Sequence, residues 1–273
     1  FVSCGNNNQI QDDTAFTISQ EQVASWVRNF NPLIAGGSAR WPTASGIYEP
    51  LLIFNSMKGK YTPWLCSEYE WQDNNRELVI TTRDGVKWSD GAPFSAADVA
   101  FTFNLKKKFP GLDPRGSWNY LESVTMKDST HVVFRFSRVY VPGLDDLAGQ
   151  PIIPKHIWED IEDPVKFSNP DPVATGPFTQ ILRFDHQIWE LGRNPFYWQE
   201  GKPAVEKLRF FAYPTNVPAT IALINGAVDM AGDVLSAFAT AFVGRDTENL
   251  DYWVPSTGGA VFLYLNPSQP LFD

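Results

Sequence analysis

Short runs of alternating or β-branched residues, separated by turn sequences, recur along the chain and restrict it to folds that contain β-sheets. Residues 77–82, Glu-Leu-Val-Ile-Thr-Thr, are typical, because branched side chains alternate between the two faces of a strand. Turn signals such as Asp84-Gly85 and Asn31-Pro32 separate the runs. The same pattern predicts strands at residues 16–19, 24–27, 131–136, 188–191, 208–213, 228–230 and 260–265.

The clearest helix is predicted to begin at Ser95. Asp98 follows three positions later, which is the spacing of a capping box, and Val99 and Phe103 supply an apolar face. Shorter helices are predicted after residue 154 and over residues 218–224, where an Asn-Gly pair ends the second. Strands mixed with helices predict a mixed α/β (α+β) fold.

Chain length and aromatic content both require a large core. With 273 residues, 43% of them hydrophobic, the chain is long enough for one large domain or two smaller ones. Ten Trp, nine Tyr and twenty Phe bury large areas, and they also offer flat faces to ligands. No apolar run approaches the roughly 20 residues that span a bilayer, so the sequence predicts no transmembrane helix.

The charge distribution argues against nucleic acid as a partner. The formal net charge is −9, and acidic residues are spread along the chain, so a phosphate backbone would be repelled. The basic run Lys106-Lys107-Lys108 lies in the last turn of the predicted helix, where cations suit the negative end of the helix dipole. We interpret it as a solvated helix end.

The first residues resemble the end of a bacterial lipoprotein signal. Small residues precede Cys4, and the polar residues 6–13 suit a flexible tether. Cys4 is therefore a candidate lipid anchor, and Cys66 is expected to be a lone buried thiol without a disulfide partner. The alternative is an ordinary cysteine in a disordered start.

Several motifs together resemble the family 5 extracellular solute-binding proteins of bacterial ABC importers, which include oligopeptide, dipeptide, nickel and oligosaccharide binders. They occur in the family's order and cover the chain from about residue 26 to its end. They are Gly-Val-Lys-Trp-Ser-Asp-Gly at 85–91, Phe-Ser-Ala-Ala-Asp-Val at 94–99, Pro-Val-Ala-Thr-Gly-Pro-Phe at 172–178, Asn-Pro-Phe-Tyr-Trp at 194–198, Gly-Ala-Val-Asp at 226–229 and Phe-Leu-Tyr-Leu-Asn at 262–266.

The resemblance implies a two-lobed clamp of the periplasmic-binding-protein type II class, with the ligand held between the lobes. One core subdomain of the first lobe would comprise residues 14–45 and 178–273, and a smaller inserted α+β subdomain residues 46–177. Residues 163–177, rich in Pro, Asp and Asn, fit a domain boundary. A second lobe is absent from the sequence, so we expect a fragment. The implied partners are a small solute and the membrane permease of an importer, and the implied location is extracytoplasmic.

The resemblance also implies that the loop after the first strand faces the ligand cleft. Here that loop contains Arg28, Asn29, Phe30 and Asn31, a form closest to the chitin- and cello-oligosaccharide binders. Amide and guanidinium groups suit hydroxyls, and an aromatic face suits a pyranose ring. The alternative is that Asn31 and the following proline only form a turn while Phe30 packs inward.

Position along the predicted strands indicates further ligand-binding candidates. Gly232 and Asp233 follow a strand, and ligands of open α/β sheets bind beyond the strands' carboxyl ends. Six further candidates lie in the last predicted strand or in the turn before it, and five weaker candidates lie elsewhere. They are Trp253, Ser256, Thr257, Gly258, Gly259 and Phe262, with Arg40, Trp41, Trp118, Asn119 and Tyr120 as the weaker set.

Catalytic signatures are absent from the sequence, so we expect a binding protein, with no cofactor, metal site or catalytic residue. There is no Gly-x-Ser-x-Gly elbow, phosphate loop, dinucleotide fingerprint or His-Glu-x-x-His helix, and the three histidines are far apart in sequence. The expected solute is an oligosaccharide. One alternative is a peptide, whose α-ammonium Asp233 would meet. A glycoside hydrolase or carbohydrate-binding module is a further alternative.

Overall fold

The structure is a computed structural model that describes residues 14–22, 25–36, 46–232, 242–244, 247, 248, 250 and 251. The strands of this part are β1 (Ala15–Glu21), β2 (Leu52–Asn55), β3 (Lys60–Pro63), β4 (Cys66–Gln72), β5 (Glu77–Thr82), β6 (Leu121–Met126), β7 (His131–Phe136), β8 (Phe178–Phe184), β9 (Ile188–Arg193), β10 (Lys207–Tyr213) and β11 (Met230–Ala231). The helices are α1 (Ala96–Lys108), α2 (Gly143–Ala148), α3 (Lys155–Trp158) and α4 (Asn216–Ile224), with short 3-10 turns at Pro110–Leu112 and Ser117–Asn119.

One sheet has the strand order β11-β1-β10-β9-β8. Strand β1 runs parallel to both β10 and β11, and β9 runs antiparallel to β10 and β8. Helix α4 connects β10 to β11, because parallel strands cannot be joined by a tight turn. The strands predicted at 16–19, 188–191 and 208–213 are confirmed, whereas the one predicted at 228–230 is only two residues long and begins two residues later.

A second sheet has the order β4-β5-β7-β6 and is antiparallel throughout, and β2 and β3 form a separate hairpin beside it. Side chains of β5 and β7 alternate between buried and half-buried, so one face packs into the core beneath α1. This alternation confirms the strands predicted at 77–82 and 131–136. The mixed α/β class is also confirmed.

The three sheets are built from separate parts of the chain. The first sheet takes its strands from residues 15–21 and 178–231, and the other two sheets take theirs from residues 52–136. The buried residues of the largest core cluster all lie between positions 51 and 152. Leu33, however, packs with Leu105, Leu112, Ile153 and Trp158, so the segment before residue 36 directly contacts residues 51–158, which we call the second unit. The subdomain boundaries themselves remain a prediction.

Helix α1 begins as the capping-box spacing predicts. The Ser95 hydroxyl accepts a hydrogen bond from the Ala97 amide at 3.2 Å, and the Asp98 carboxylate accepts one from the Ser95 amide at 2.9 Å. The second carboxylate oxygen of Asp98 accepts a hydrogen bond from the Lys155 amide at 2.8 Å. Asp98 therefore caps α1 and also fixes the start of α3, while its burial raises the pKa of its carboxyl.

Two sequence predictions are wrong at the level of local structure. Residues 25–27 of the strand predicted at 24–27 form no strand, and the segment continues as a loop in which the Asn29 amide donates to the Val27 carbonyl and the Phe30 amide donates to the Ser168 carbonyl. Lys106 is not part of a solvated helix end, because it is only 3% exposed and its ammonium donates to the Gln150 side chain. Lys107 and Lys108 are exposed, as predicted.

The carboxylate of Glu49 joins parts of the chain that are far apart in sequence. It accepts hydrogen bonds from the indole of Trp64 at 2.7 Å, the indole of Trp198 at 3.1 Å and the hydroxyl of Tyr197 at 3.1 Å. The two indoles also meet edge to face at 5.4 Å. Burial raises the pKa of Glu49 although these donors favour its charged form.

Two chain segments cross next to each other where the two sheets meet. The Gly176 amide donates to the Ile47 carbonyl at 2.9 Å, and the Phe178 amide donates to the Gly46 carbonyl at 3.3 Å. A Cβ on Gly176 would lie 2.3 Å from the Gly46 and Ile47 carbonyl oxygens. Only glycine therefore permits this backbone approach.

No helix among the described residues is both long and apolar enough to pass through a membrane.

Gly176→Ala is expected to lower the free energy of unfolding by about 1–3 kcal/mol, because backbone atoms must move to admit the methyl group. Gly149→Ala is the matched control, since a Cβ there meets no atom within 4 Å. Urea denaturation followed by tryptophan fluorescence measures both variants. Equal midpoints for the two would contradict the close approach.

The buried Lys106 predicts a stability change at alkaline pH. Burial lowers its pKa to about 8 in the folded state, whereas the unfolded value is about 10.4. The folded state therefore disfavours protonated Lys106. The stability that neutral Lys106 contributes is fully present above the unfolded pKa, is lost as pH falls towards 8, and changes no further below pH 8. Between pH 8 and 10, wild type should gain about 2 kcal/mol relative to Lys106→Met, as measured by denaturation at each pH. Parallel pH profiles of the two proteins would exclude a neutral Lys106.

Candidate functional site

Strands β1, β10 and β11 are parallel, so their carboxyl ends lie at one edge of the first sheet, which we call the carboxyl edge. The chain leaves these strands at Gln22, Pro214 and Gly232. The Gln22 amide donates to the Tyr213 carbonyl at 2.9 Å, and its side-chain amide donates to the His186 carbonyl at 2.6 Å. Ligands of open α/β sheets bind at this edge, so it is the candidate site.

Two further segments reach the carboxyl edge. Strand β9 runs antiparallel to β10, which places the β8-β9 turn beside the end of β10, and the Ala212 amide donates to the Gln187 carbonyl at 2.9 Å. Helix α4 begins after Thr215, close behind the end of β10, and the Thr215 side chain makes no capping hydrogen bond. The edge therefore offers amide groups, a threonine hydroxyl and the positive end of a helix dipole.

Arg28 lies in the loop after β1 and forms an exposed ion pair. Its guanidinium is 2.8 Å from the Asp171 carboxylate and also donates to the Pro170 carbonyl at 3.2 Å. The side chains of Arg28 and Asp171 are 45% and 83% exposed. A pair this exposed contributes little to stability, so a ligand could replace either partner at small cost.

Phe30 and Asn31 face the protein interior in this structure. Phe30 is 1% exposed and its ring lies 6.4 Å from Trp189 and 6.0 Å from Phe184. Asn31 is fully buried, and its amide donates to the carbonyls of Pro164 and Phe167, each at 2.9 Å. The inward-packing alternative describes both residues as they stand here, and their contact with a ligand would require the loop to rearrange.

Asn169 fixes the loop after β1 against the long connection that precedes β8. Its amide donates to the Phe30 carbonyl at 3.2 Å and to the Tyr48 hydroxyl at 2.6 Å, and its own φ is 48°. Asn29 takes part as well, because its side-chain oxygen accepts the Asn31 amide at 3.0 Å. The sequence indicated this connection only as a boundary, so it did not indicate Asp171, which lies 143 positions from Arg28.

The other sequence candidates divide into three groups. Gly232 lies at the carboxyl edge with open space where a Cβ would stand. Trp118, Asn119 and Tyr120 belong to the second unit, where the Trp118 indole donates to the Phe103 carbonyl and Tyr120 is buried against Tyr140. The remaining candidates lie outside the described residues, and they are Cys4, Arg40, Trp41, Asp233, Trp253, Ser256, Thr257, Gly258, Gly259 and Phe262.

Within the described ranges, no group of three His, Cys, Asp or Glu side chains is arranged to hold a metal ion. His131 pairs with Asp128 and His156 with Asp90, both partly exposed in the second unit. Cys66 is buried, and burial raises the pKa of its thiol to about 12, so it is no nucleophile. The amide groups and the threonine hydroxyl at the carboxyl edge suit recognition of a polar solute.

Comparison with known proteins gives one consistent result. The sequence profile of "Bacterial extracellular solute-binding proteins, family 5 Middle" matches residues 60–273. A Brucella ovis protein named for peptide binding by an ABC transporter is 31% identical over 208 residues, or 73% of this chain. The nickel-binding periplasmic protein of Escherichia coli K12 is 28% identical over 199 residues, or 68% of this chain.

A solved structure with the same fold is the mannohexaose-bound periplasmic oligopeptide-binding protein of Thermotoga maritima. It superimposes with a TM-score of 0.74 at 28% identity over 84% of this chain, which confirms the predicted periplasmic-binding-protein-like lobe. The chain spans well under half of each of these proteins, namely 38%, 36% and 43% of their lengths.

Truncating Phe30 and Arg28 should separate packing from ligand contact. Phe30→Ala is expected to cost about 3–5 kcal/mol of unfolding free energy, because a buried ring is lost between two other rings. Arg28→Ala should stay within about 0.5 kcal/mol of wild type, because its ion pair is exposed. Thermal and urea denaturation of both variants provide the measurement. A Phe30→Ala protein as stable as wild type would return Phe30 to the set of ligand-contact candidates.

Proposed function

Because the chain belongs to the bacterial extracellular solute-binding proteins of family 5, we propose that it forms part of the substrate-binding component of an ABC importer and that the solute is a peptide. The family is one of non-catalytic binding proteins, in agreement with the sequence prediction. The observation that supports a peptide is the exposed Arg28–Asp171 ion pair, whose arginine lies in the loop after β1.

A free peptide carries a carboxylate at one end and an ammonium group at the other. Guanidinium groups bind carboxylates through two parallel hydrogen bonds, and a carboxylate binds ammonium. Arg28 and Asp171 supply one group of each sign within 2.8 Å of each other, so a peptide end could replace either partner. Asp233, predicted to meet the α-ammonium, stays a second candidate for the same role.

An oligosaccharide is the second candidate solute. It is favoured by the mannohexaose in the Thermotoga maritima protein, which has the same fold as this chain. Arg28 and Asn29 could bind sugar hydroxyls, as the loop sequence predicts. An oligosaccharide site also needs flat aromatic faces, and Phe30 offers none in its buried position.

The location and the remaining partners are part of the same proposal. The protein would act outside the cytoplasm, held to the membrane by a lipid on Cys4, and would deliver its solute to the importer's permease. Nucleic acid, cofactors and enzymatic turnover have no part in this function. The second lobe of the clamp would come from the rest of the full-length protein.

Isothermal titration of the full-length protein tests the solute class. Di- to nonapeptides are expected to bind, whereas chito-, cello- and manno-oligosaccharides and Ni²⁺ are not. Arg28→Ala or Asp171→Asn should each weaken peptide binding by about tenfold, the effect of losing one charge-assisted hydrogen bond. Arg115→Ala is the matched control, since Arg115 is exposed on the second unit.

Other outcomes would change either the proposed solute or the proposed site. Tight binding of an oligosaccharide without peptide binding would replace the proposed solute, and shortened oligosaccharide products would indicate a hydrolase. Peptide binding that Arg28→Ala and Asp171→Asn leave unchanged would keep the function but remove this pair from the site.

A further inference from the structure

The β2-β3 hairpin exposes apolar side chains on both of its faces and at its tip. Phe54 pairs with Tyr61 on one face, and Ile53 pairs with Thr62 on the other. Phe54 is 53% exposed, Ile53 is 38% exposed, and Met57 in the turn is 82% exposed. Exposed apolar groups are normal one at a time, but three on one projecting element indicate an interaction surface.

The base of this hairpin is fixed, so its tip has a defined position. Leu51 and Leu52 lie in the core of the second unit, and the amides of Trp64 and Cys66 both donate to the Leu51 carbonyl. The Tyr61 hydroxyl donates to the Asp145 carboxylate, which joins the hairpin to α2. An isolated two-stranded hairpin is marginal in water, and these contacts hold it.

The tip is also basic in an acidic chain. Lys58 and Lys60 are both exposed, and residues 50–67 contain no acidic residue, although the whole chain has a net charge of −9. Lysine stems can lie along an apolar surface while their ammonium groups remain in water. The hairpin thus combines apolar side chains with two exposed lysines, while the Asp145 carboxylate of α2 lies at Tyr61.

We propose that the β2-β3 hairpin tip inserts into the interface of an anionic lipid bilayer. A bilayer surrounds an inserted tip, so it can cover Phe54, Ile53 and Met57 together, whereas docking on a protein surface would cover mainly one face of the hairpin. Lys58 and Lys60 then meet lipid phosphates. The contact would orient the protein at the membrane independently of which solute it carries.

Vesicle co-sedimentation of the full-length protein tests the inference, with Cys4→Ser present so that no acyl chain contributes. Vesicles of phosphatidylglycerol and phosphatidylethanolamine should bind the protein, and phosphatidylcholine vesicles should bind it weakly. The double variant Lys58→Gln/Lys60→Gln should reduce binding to the anionic vesicles about tenfold or more. Added salt should also weaken binding of the wild-type protein to these vesicles.

The apolar contribution is tested separately. Met57→Ser should weaken binding to anionic vesicles. Met126→Ser, the same replacement at an exposed methionine on β6, should not. Met57 is so exposed that its replacement should leave folding intact, which circular dichroism checks. Peptide titration of the same proteins is a separate readout, so failure of this inference and failure of the proposed function can be distinguished.

Three results would overturn the inference. The first is wild-type protein that stays in the supernatant with anionic vesicles. The second is vesicle binding that neither the lysine pair nor Met57 influences. The third is binding that occurs only when the vesicles contain the importer's membrane subunits, which would make the hairpin a protein-docking element.

Discussion

The buried carboxylate of Glu49 is the interaction on which the junction of the two sheets depends. Removing a charge from water costs several kcal/mol unless donors replace the lost water, and here two indoles and a phenol do so. Trp64 comes from the second unit, whereas Trp198 follows β9 of the first sheet. The carboxylate therefore requires both units to be in place, and the edge-to-face indoles exclude water from it.

Buried amides continue this junction towards the candidate site. Asn194 donates to the carbonyls of Thr175 and Gly176. Asn169 donates to the Phe30 carbonyl and to the Tyr48 hydroxyl. Asn31 donates to two carbonyls of the long connection. Irregular segments cannot satisfy their own backbone groups, so buried side-chain amides do it for them. The loop that presents Arg28 is consequently held on its inner side and exposed on its outer side.

Local patterns allowed much of the fold to be predicted from sequence. Alternation located β1, β5, β7, β9 and β10, and the Ser95–Asp98 spacing located the start of α1, because these signals depend on neighbours within a few residues. The strand predicted before Phe30 was wrong, because the apolar residues there pack into a core without pairing as a strand. The prediction that Lys106 is solvated was also wrong, because position in the helix alone cannot show that Gln150, 44 residues away, covers it.

The sequence by itself determined the fold class, the family and the loop that bears Arg28, because motifs and periodicity can be recognised from residues that are neighbours in the sequence. Tertiary structure alone decided that Phe30 and Asn31 turn inward, that Asp171 joins Arg28 and that an apolar, basic hairpin projects from the second unit. Burial and tertiary contacts decide such points, and for Arg28 and Asn31 the partners lie more than 100 positions away, which no local pattern encodes.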